Sequence, residues 1–101
     1  MADQPLKNKK IVISAGASGI GWATTEVCIS RGAQVFLCDI DQKLINKINK
    51  NKKYKNKIFA YECDASNESE VIDFFLKILK KTKKIDALIN NVGIAGPTGT
   101  L

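Results

Sequence analysis

The sequence predicts one doubly wound α/β layer, and three observations carry that prediction. Short β-branched runs begin near residues 11, 34, 57 and 85, and each pair is separated by a segment whose apolar residues fall at helical spacing. Such strand–helix–strand alternation requires a parallel sheet with right-handed crossovers. The length, 101 residues with 45% hydrophobic and 26% charged, is that of a single domain spanning 1–101. The three β-α units do not resemble one another, so the recurrence is not a solenoid repeat.

Residues 1–9 are polar, contain Pro5 and read as a frayed lead-in. The run from Lys10 to Ala15 has the pattern of a strand buried on both faces. A glycine-rich turn follows. The helix expected from Ile20 to Arg31 has Ala23, Val27, Cys28 and Ile29 as its apolar positions, with Gly32 placed as a left-handed C-terminal cap.

Gln34 to Asp39 reads as a second buried strand, after which Asp41 can cap a helix carrying Leu44, Ile45 and Ile48 on one face. The Lys/Asn tract from Asn49 to Asn56 reads as a solvated helix end and loop. A third strand is expected from Lys57 to Glu62, and Ser66 or Asn67 can cap the helix after it. That helix, about Glu68 to Lys81, has Val71, Ile72, Phe75, Leu76, Ile78 and Leu79 at helical spacing. Its acids lie in the first turn and its lysines in the last, matching the macrodipole. A fourth strand is expected from Ile85 to Asn90.

Composition excludes several classes of function. The 16 basic residues against 10 acidic give a net charge of +6, yet Arg31 is the single arginine, whereas nucleic-acid readers favour the bidentate guanidinium. The lysines from Lys43 to Lys57 read as a solvated face, and no nucleic-acid partner is expected. No apolar stretch of membrane-spanning length occurs, and the start has no apolar signal region, so a cytoplasmic protein without a membrane partner is expected. Three cysteines without C-x-x-C spacing, and no histidine, argue against a disulfide framework, a zinc site and every His-based mechanism. Cys38 and Cys63 read as small apolar fillers at strand ends, and Trp22 as a packing residue at the helix start.

The chemical signal is the segment Ser14-Ala15-Gly16-Ala17-Ser18-Gly19-Ile20-Gly21, at the first strand-to-helix turn. Glycines there let backbone approach a diphosphate, and free N–H groups at the helix start supply an anion site. A Walker loop would need Lys after its closing glycine, but Trp22 follows Gly21; the common G-x-G-x-x-G would need glycine at Thr24. What remains is a G-x-x-x-G-x-G-like frame with Ala15 in its first position.

With three further motifs in order, the chain resembles the short-chain dehydrogenase/reductase family over nearly its whole length. The family's T-G-x-x-x-G-I-G is matched by Ser14 to Gly21, its acid after the second strand by Asp39, its aspartate after the third by Asp64, and its N-N-A-G by Asn90-Asn91-Val92-Gly93. Beyond serine for threonine at Ser14, two residues depart from the pattern. Ala15 replaces a glycine, with Gly16 next to it expected to supply the turn's flexibility, and Val92 replaces alanine.

The resemblance implies a partial Rossmann sheet in strand order 3-2-1-4 and a nicotinamide dinucleotide cofactor. It implies cofactor contacts at Ala15, Gly16, Ser18, Gly19, Ile20 and Gly21, at Asp39 and Ile40, at Asp64 and Ala65, and at Asn91 and Gly93. Asp39 can accept both ribose hydroxyls of NAD and would repel the 2′-phosphate of NADP, and Ser18 stands where NADP users of the family often place Arg or Lys. Structural alternatives stand beside these roles: a turn with Asp41 for Asp39, a helix cap for Asp64, and a strand-register role for Asn90 and Asn91.

The family's hydride transfer depends on a Ser, and on a Tyr and a Lys spaced Y-x-x-x-K. Tyr54 is followed four residues on by Ile58 and Tyr61 by Ala65, so no catalytic residue is assigned. The expectation is the NAD-binding N-terminal half of an oxidoreductase interconverting an alcohol and a carbonyl, inactive as 101 residues alone. A full-length member would be a homo-oligomer. The fourth strand would lie at an open edge, so the isolated chain is expected to be marginal or to associate. The alternative is a non-catalytic dinucleotide-binding module or a decayed fragment, separated from the first reading by whether the frame continues into a Y-x-x-x-K. Epimerases of extended relatives are disfavoured by the loop frame.

Overall fold

Residues 4–91 are described by the structure, a computed structural model. The elements are β1 (Lys10–Ser14), α1 (Gly19–Ser30), β2 (Gln34–Asp39), α2 (Gln42–Lys50), a 3₁₀ turn at Lys52–Tyr54, β3 (Ile58–Glu62), α3 (Glu68–Leu79) and β4 (Ala87–Asn90). The strands form one parallel sheet in the order β3-β2-β1-β4, as the sequence predicts. Alternate residues of β1 and β2 face opposite layers. Ile11, Ile13, Val35 and Leu37 pack in the cluster with Cys28, Ile45 and Ile48, while Val12, Phe36 and Cys38 pack with Phe74 and Ile78. Burial on both faces is why these strands read as unbroken apolar runs.

The helix ends follow local chemistry. Asp41 accepts the Leu44 N–H at 3.1 Å and Asn67 the Glu70 N–H at 3.1 Å, so Asn67, not Ser66, caps α3. Gly32 has φ +99 and donates to Ile29 O, while Ala33 N–H reaches Cys28 O, both at 3.1 Å. That is the double bond of a glycine-terminated helix, as expected from Gly32. The third helix stops at Leu79 rather than Lys81, because the Lys80 and Lys81 N–H groups bond carbonyls three residues back and tighten the last turn.

Three expectations are corrected. Among the described residues 4–9 the chain is stitched down rather than frayed: Leu6 packs on the α1/α2 side of the core, and its N–H donates to Arg31 O at 2.9 Å. Of the apolar positions expected on α1, Cys28 is buried and Ile29 packs on the core, but Ala23 and Val27 are exposed, and Gly21 and Thr25 complete the buried face. The helix lies too close to the loop before it for larger side chains, and Thr25 satisfies its hydroxyl on Gly21 O at 2.9 Å. The fourth strand starts at Ala87, not Ile85, because the carboxylate of Asp86 takes part in the ladder's first rung. Its Oδ2 accepts Lys10 N–H, and its own N–H donates to Lys10 O, both at 2.8 Å.

Asp86 also pairs with Lys84 at 3.1 Å. The Lys10 N–H, then Lys84, hold its carboxyl below the ordinary aspartate range. A depressed folded-state value contributes stability that is complete above the unfolded value, about 3.9, and is lost as pH falls through the folded one. The urea midpoint should therefore fall between pH 6 and about pH 3, and Asp86→Asn should start lower and fall less; equal falls in both proteins would contradict this.

Candidate functional site

The site is built around the turn between β1 and α1, where each small residue answers a different constraint. A Cβ at Gly16 would lie 2.8 Å from the Leu37 Cβ, and one at Gly21 would overlap the Ala15 carbonyl oxygen. Those two glycines allow close packing of loop on sheet and of helix on loop. Gly19 differs: its φ is +58, and nothing lies within 4 Å of where its side chain would be. The flexibility expected of Gly16 is not used there. Ala15 itself takes the left-handed conformation, with φ +54, at the position where the motif has glycine.

The start of α1 is finished differently from those of the other two helices. Ser18 stands at the N-cap without a side-chain cap bond, and no acid occupies the first turn. By contrast α2 and α3 begin with capping side chains, and α3 has two acids in its first turn. The first N–H groups of α1, at Gly19, Ile20 and Gly21, therefore keep the donor capacity and positive dipole end that a diphosphate uses.

Asp39 closes β2 beside this turn. Its Oδ2 accepts the Ala17 N–H at 3.1 Å and its Oδ1 the Asp41 N–H at 3.0 Å. The turn with Asp41 thus exists together with a tether to the glycine loop. A carboxylate has about four acceptor positions, so two remain for a ligand.

Ala15, Asp39, Ile40, Asp64 and Ala65 line one cleft of about 240 Å³ at the carboxyl ends of the strands, joined by Cys63 and Ser66. Ile20 is 80% and Ile40 69% exposed. Asp64 accepts the Ser66 hydroxyl at 2.6 Å and the Ser66 N–H at 2.9 Å, and these bonds hold its carboxyl below the usual range. It thereby shapes the turn into α3 that carries the cleft wall, while Asn67 provides the cap.

Asn90 and Asn91 meet Ser14. The Ser14 hydroxyl donates to Asn90 Oδ1 at 2.8 Å, and Asn91 donates its N–H to Ser14 Oγ at 3.1 Å and its Nδ2 to Ser14 O at 3.2 Å. The three bonds clamp β1 to β4 at the cleft end of the sheet. Ser14 as the centre of this clamp was not anticipated, since its partners lie 76 and 77 residues away in sequence. Val92 and Gly93 lie outside the described residues.

The remaining candidates are structural. Trp22 meets Tyr54 edge-on at 5.5 Å, and Tyr61 meets Phe74 at 5.7 Å. Burial pushes the Tyr61 phenol up, the opposite of what a proton-exchanging tyrosine needs. Burial first, and then the neighbouring Cys63, push the Cys38 thiol up to about 12, so it stays protonated and acts as filler.

Comparison with known proteins agrees with this geometry. The family model described as short chain dehydrogenase matches residues 9–101. The chain belongs to the short-chain dehydrogenase family. Short-chain dehydrogenase reductase 3c of Arabidopsis thaliana is 33% identical over 97 residues, 96% of this chain and 37% of the relative. Tropinone reductase-like 2 of Erythroxylum coca is 36% identical over 89 residues, 88% of this chain and 32% of the relative. Among solved structures, 2-keto-3-deoxy-D-gluconate dehydrogenase from Streptococcus agalactiae aligns with TM-score 0.78 and 32% identity over 96% of this chain and 37% of that one. Hydroxysteroid dehydrogenase from Escherichia coli aligns with TM-score 0.79 and 28% identity, over 90% and 39%. The chain thus spans little more than a third of these short-chain dehydrogenases. The family is one of oxidoreductases using nicotinamide dinucleotides.

Within this short-chain dehydrogenase frame Ala15 is a measurable departure. A left-handed alanine costs about 1 kcal/mol or more relative to glycine, partly offset by the greater freedom of glycine in the unfolded chain. Ala15→Gly should raise stability by roughly 0.5–1 kcal/mol in urea unfolding. A lower midpoint for the variant would show that the turn does not strain alanine.

Proposed function

We propose that this chain is the NAD-binding portion of a cytoplasmic short-chain oxidoreductase that interconverts a small-molecule alcohol and a carbonyl by hydride transfer. The observation that carries the choice of NAD is Asp39, a carboxylate fixed by two backbone N–H groups with its other acceptor positions left for the paired hydroxyls of a ribose. A 2′-phosphate at the same place would meet that carboxylate and find Ser18, not a base, across the loop.

The residues present fit the cofactor. Gly19 leaves open space where backbone must approach a diphosphate, and the uncapped start of α1 supplies its donors. Ile40 and Ala65 give the cleft apolar walls for a flat ring, and Asp64 at its edge can accept a hydrogen bond from an exocyclic amine. The Asn90 and Asn91 clamp on Ser14 keeps β1 and β4 in register beneath it. A bound nicotinamide would supply the carbon that gives or takes hydride. The 101 residues contain no Y-x-x-x-K, so the proton-exchanging step lies outside this chain's own residues and the chain alone is inactive. In a full-length member we expect a homo-oligomer and no nucleic-acid or membrane partner.

Calorimetric titration tests the reading. NAD should bind at least about tenfold more tightly than NADP, a difference of roughly 1.4 kcal/mol. Asp39→Asn, which keeps an acceptor and removes the charge, should bring the two within about threefold. Equal affinities for the unaltered chain would overturn the role of Asp39, and binding of neither would overturn the dinucleotide reading.

A further inference from the structure

α1 and α2 lie on the same face of the sheet, opposite α3, and their backbones are not in close contact. α1 turns Gly21, Thr25 and Cys28 towards the strands, which leaves Trp22, one position on from Gly21, in the gap between the two helices. There its ring meets Tyr54, in the 3₁₀ turn after α2, edge-on at 5.5 Å. The two rings do not fill the gap. A pocket of about 290 Å³ remains, walled by Trp22, Leu44, Ile48 and Tyr54. That is the small end of the range that holds a small organic molecule, roughly 300 Å³ upward. It shares no lining residue with the cleft at Asp39 and Asp64, and it abuts the glycine loop through Ala17, whose N–H Asp39 holds.

The polar groups of this pocket are donors. Lys47 lines it and has no acid within ion-pairing distance among the described residues, where the ion pairs are Lys77 with Asp73 and Lys84 with Asp86. Asn51 commits its Oδ1 to the Lys53 N–H at 3.0 Å, so its Nδ2 is what it can offer a ligand. Among the described residues neither that Nδ2 nor the Nε1–H of the half-buried Trp22 has an acceptor, although an indole N–H removed from water ordinarily finds one. No carboxylate lines the pocket, so nothing in it competes for these donors. One cation and two N–H donors, set beside two aromatic rings and two aliphatic side chains, define the complementary ligand: acceptor oxygens with one negative charge, on a flat apolar body. A single lysine in the lining matches the charge of a carboxylate, not that of a phosphate dianion.

We propose that the pocket between α1 and α2 is a second ligand site, for a small carboxylate with an aromatic body. Lys47 and Asn51 hold its oxygens, and Trp22, Leu44 and Tyr54 enclose its ring. The site is made by residues of α1, α2 and the turns that follow β1 and α2, all on the side of the sheet away from α3.

Trp22 is the single tryptophan of the chain, so its fluorescence reports on this pocket alone. The probe is phenylpropionate, with phenylpropanol as the same body without the charge, each titrated into the 101-residue chain. Nucleotide is left out, which keeps the outcome separate from the cofactor proposal. Phenylpropionate should change the emission saturably with a dissociation constant of about 0.1–1 mM, and the alcohol should bind at least about fivefold more weakly. Lys47→Gln, at an exposed position, should bring the acid to the level of the alcohol, while Lys57→Gln, also exposed and outside the lining, should change neither. On the isotopically labelled chain the acid should move amide signals between Leu44 and Tyr54 and leave those of Ile40 and Ala65 in place. No saturable change in emission or amide signals up to about 10 mM overturns the proposal. So do equal affinities for acid and alcohol, amide changes centred on Ile40 and Ala65, or a Lys47→Gln chain that keeps the preference for the acid.

Discussion

The tether from Asp39 to the glycine loop is the contact on which the site depends. One carboxylate at the end of β2 holds the Ala17 N–H and the Asp41 N–H. It thereby fixes the loop after β1 against the start of the turn after β2, and the cleft opens between the two. The same atoms present the remaining acceptor positions to whatever enters. One side chain thus sets the position of both turns and, in the proposed function, the choice of cofactor, which suits an acid placed at a strand end rather than on a mobile loop.

That tether works because the sheet beneath it is rigid on both faces. β1 and β2 are buried between two layers, and Ser14 is gripped by Asn90 and Asn91. The loop leaves this platform through a left-handed Ala15 and reaches α1 over Gly21, where no side chain fits. The strain at Ala15 is small against the packing that enforces it. A loop so determined presents donors without reorganising, the condition for binding a diphosphate on backbone alone.

The fold was legible in the sequence because strand burial on two faces and helix capping are local signals. The runs through Val12 and Val35, the Asp41 cap and Gly32 all stand out for that reason. The misreadings share a different cause. Nothing local says that α1 must bury Gly21 and Thr25 instead of Val27; that follows from how closely the loop approaches the helix. Leu6 and Ser14 find partners far along the chain, so their roles needed the assembled sheet. Of the site, Ala15, Asp39, Ile40, Asp64 and Ala65 follow from the motifs, whereas Cys63 and Ser66 in the cleft lining and the Ser14 clamp do not. Ala15 was seen as a departure, but the turn's left-handed conformation fell on it and not on Gly16.

The central claim is that the loop after β1, Asp39 and the turn at Asp64 form a single dinucleotide cleft. Amide chemical shifts of the isotopically labelled chain, followed during addition of NAD, test it directly. The account predicts that the largest changes cluster at Ala17, Ser18, Gly19, Ile40, Ala65 and Ser66, with the α2 lysine face unmoved. Changes centred on Lys47 to Lys55, or none at saturating NAD, would contradict it.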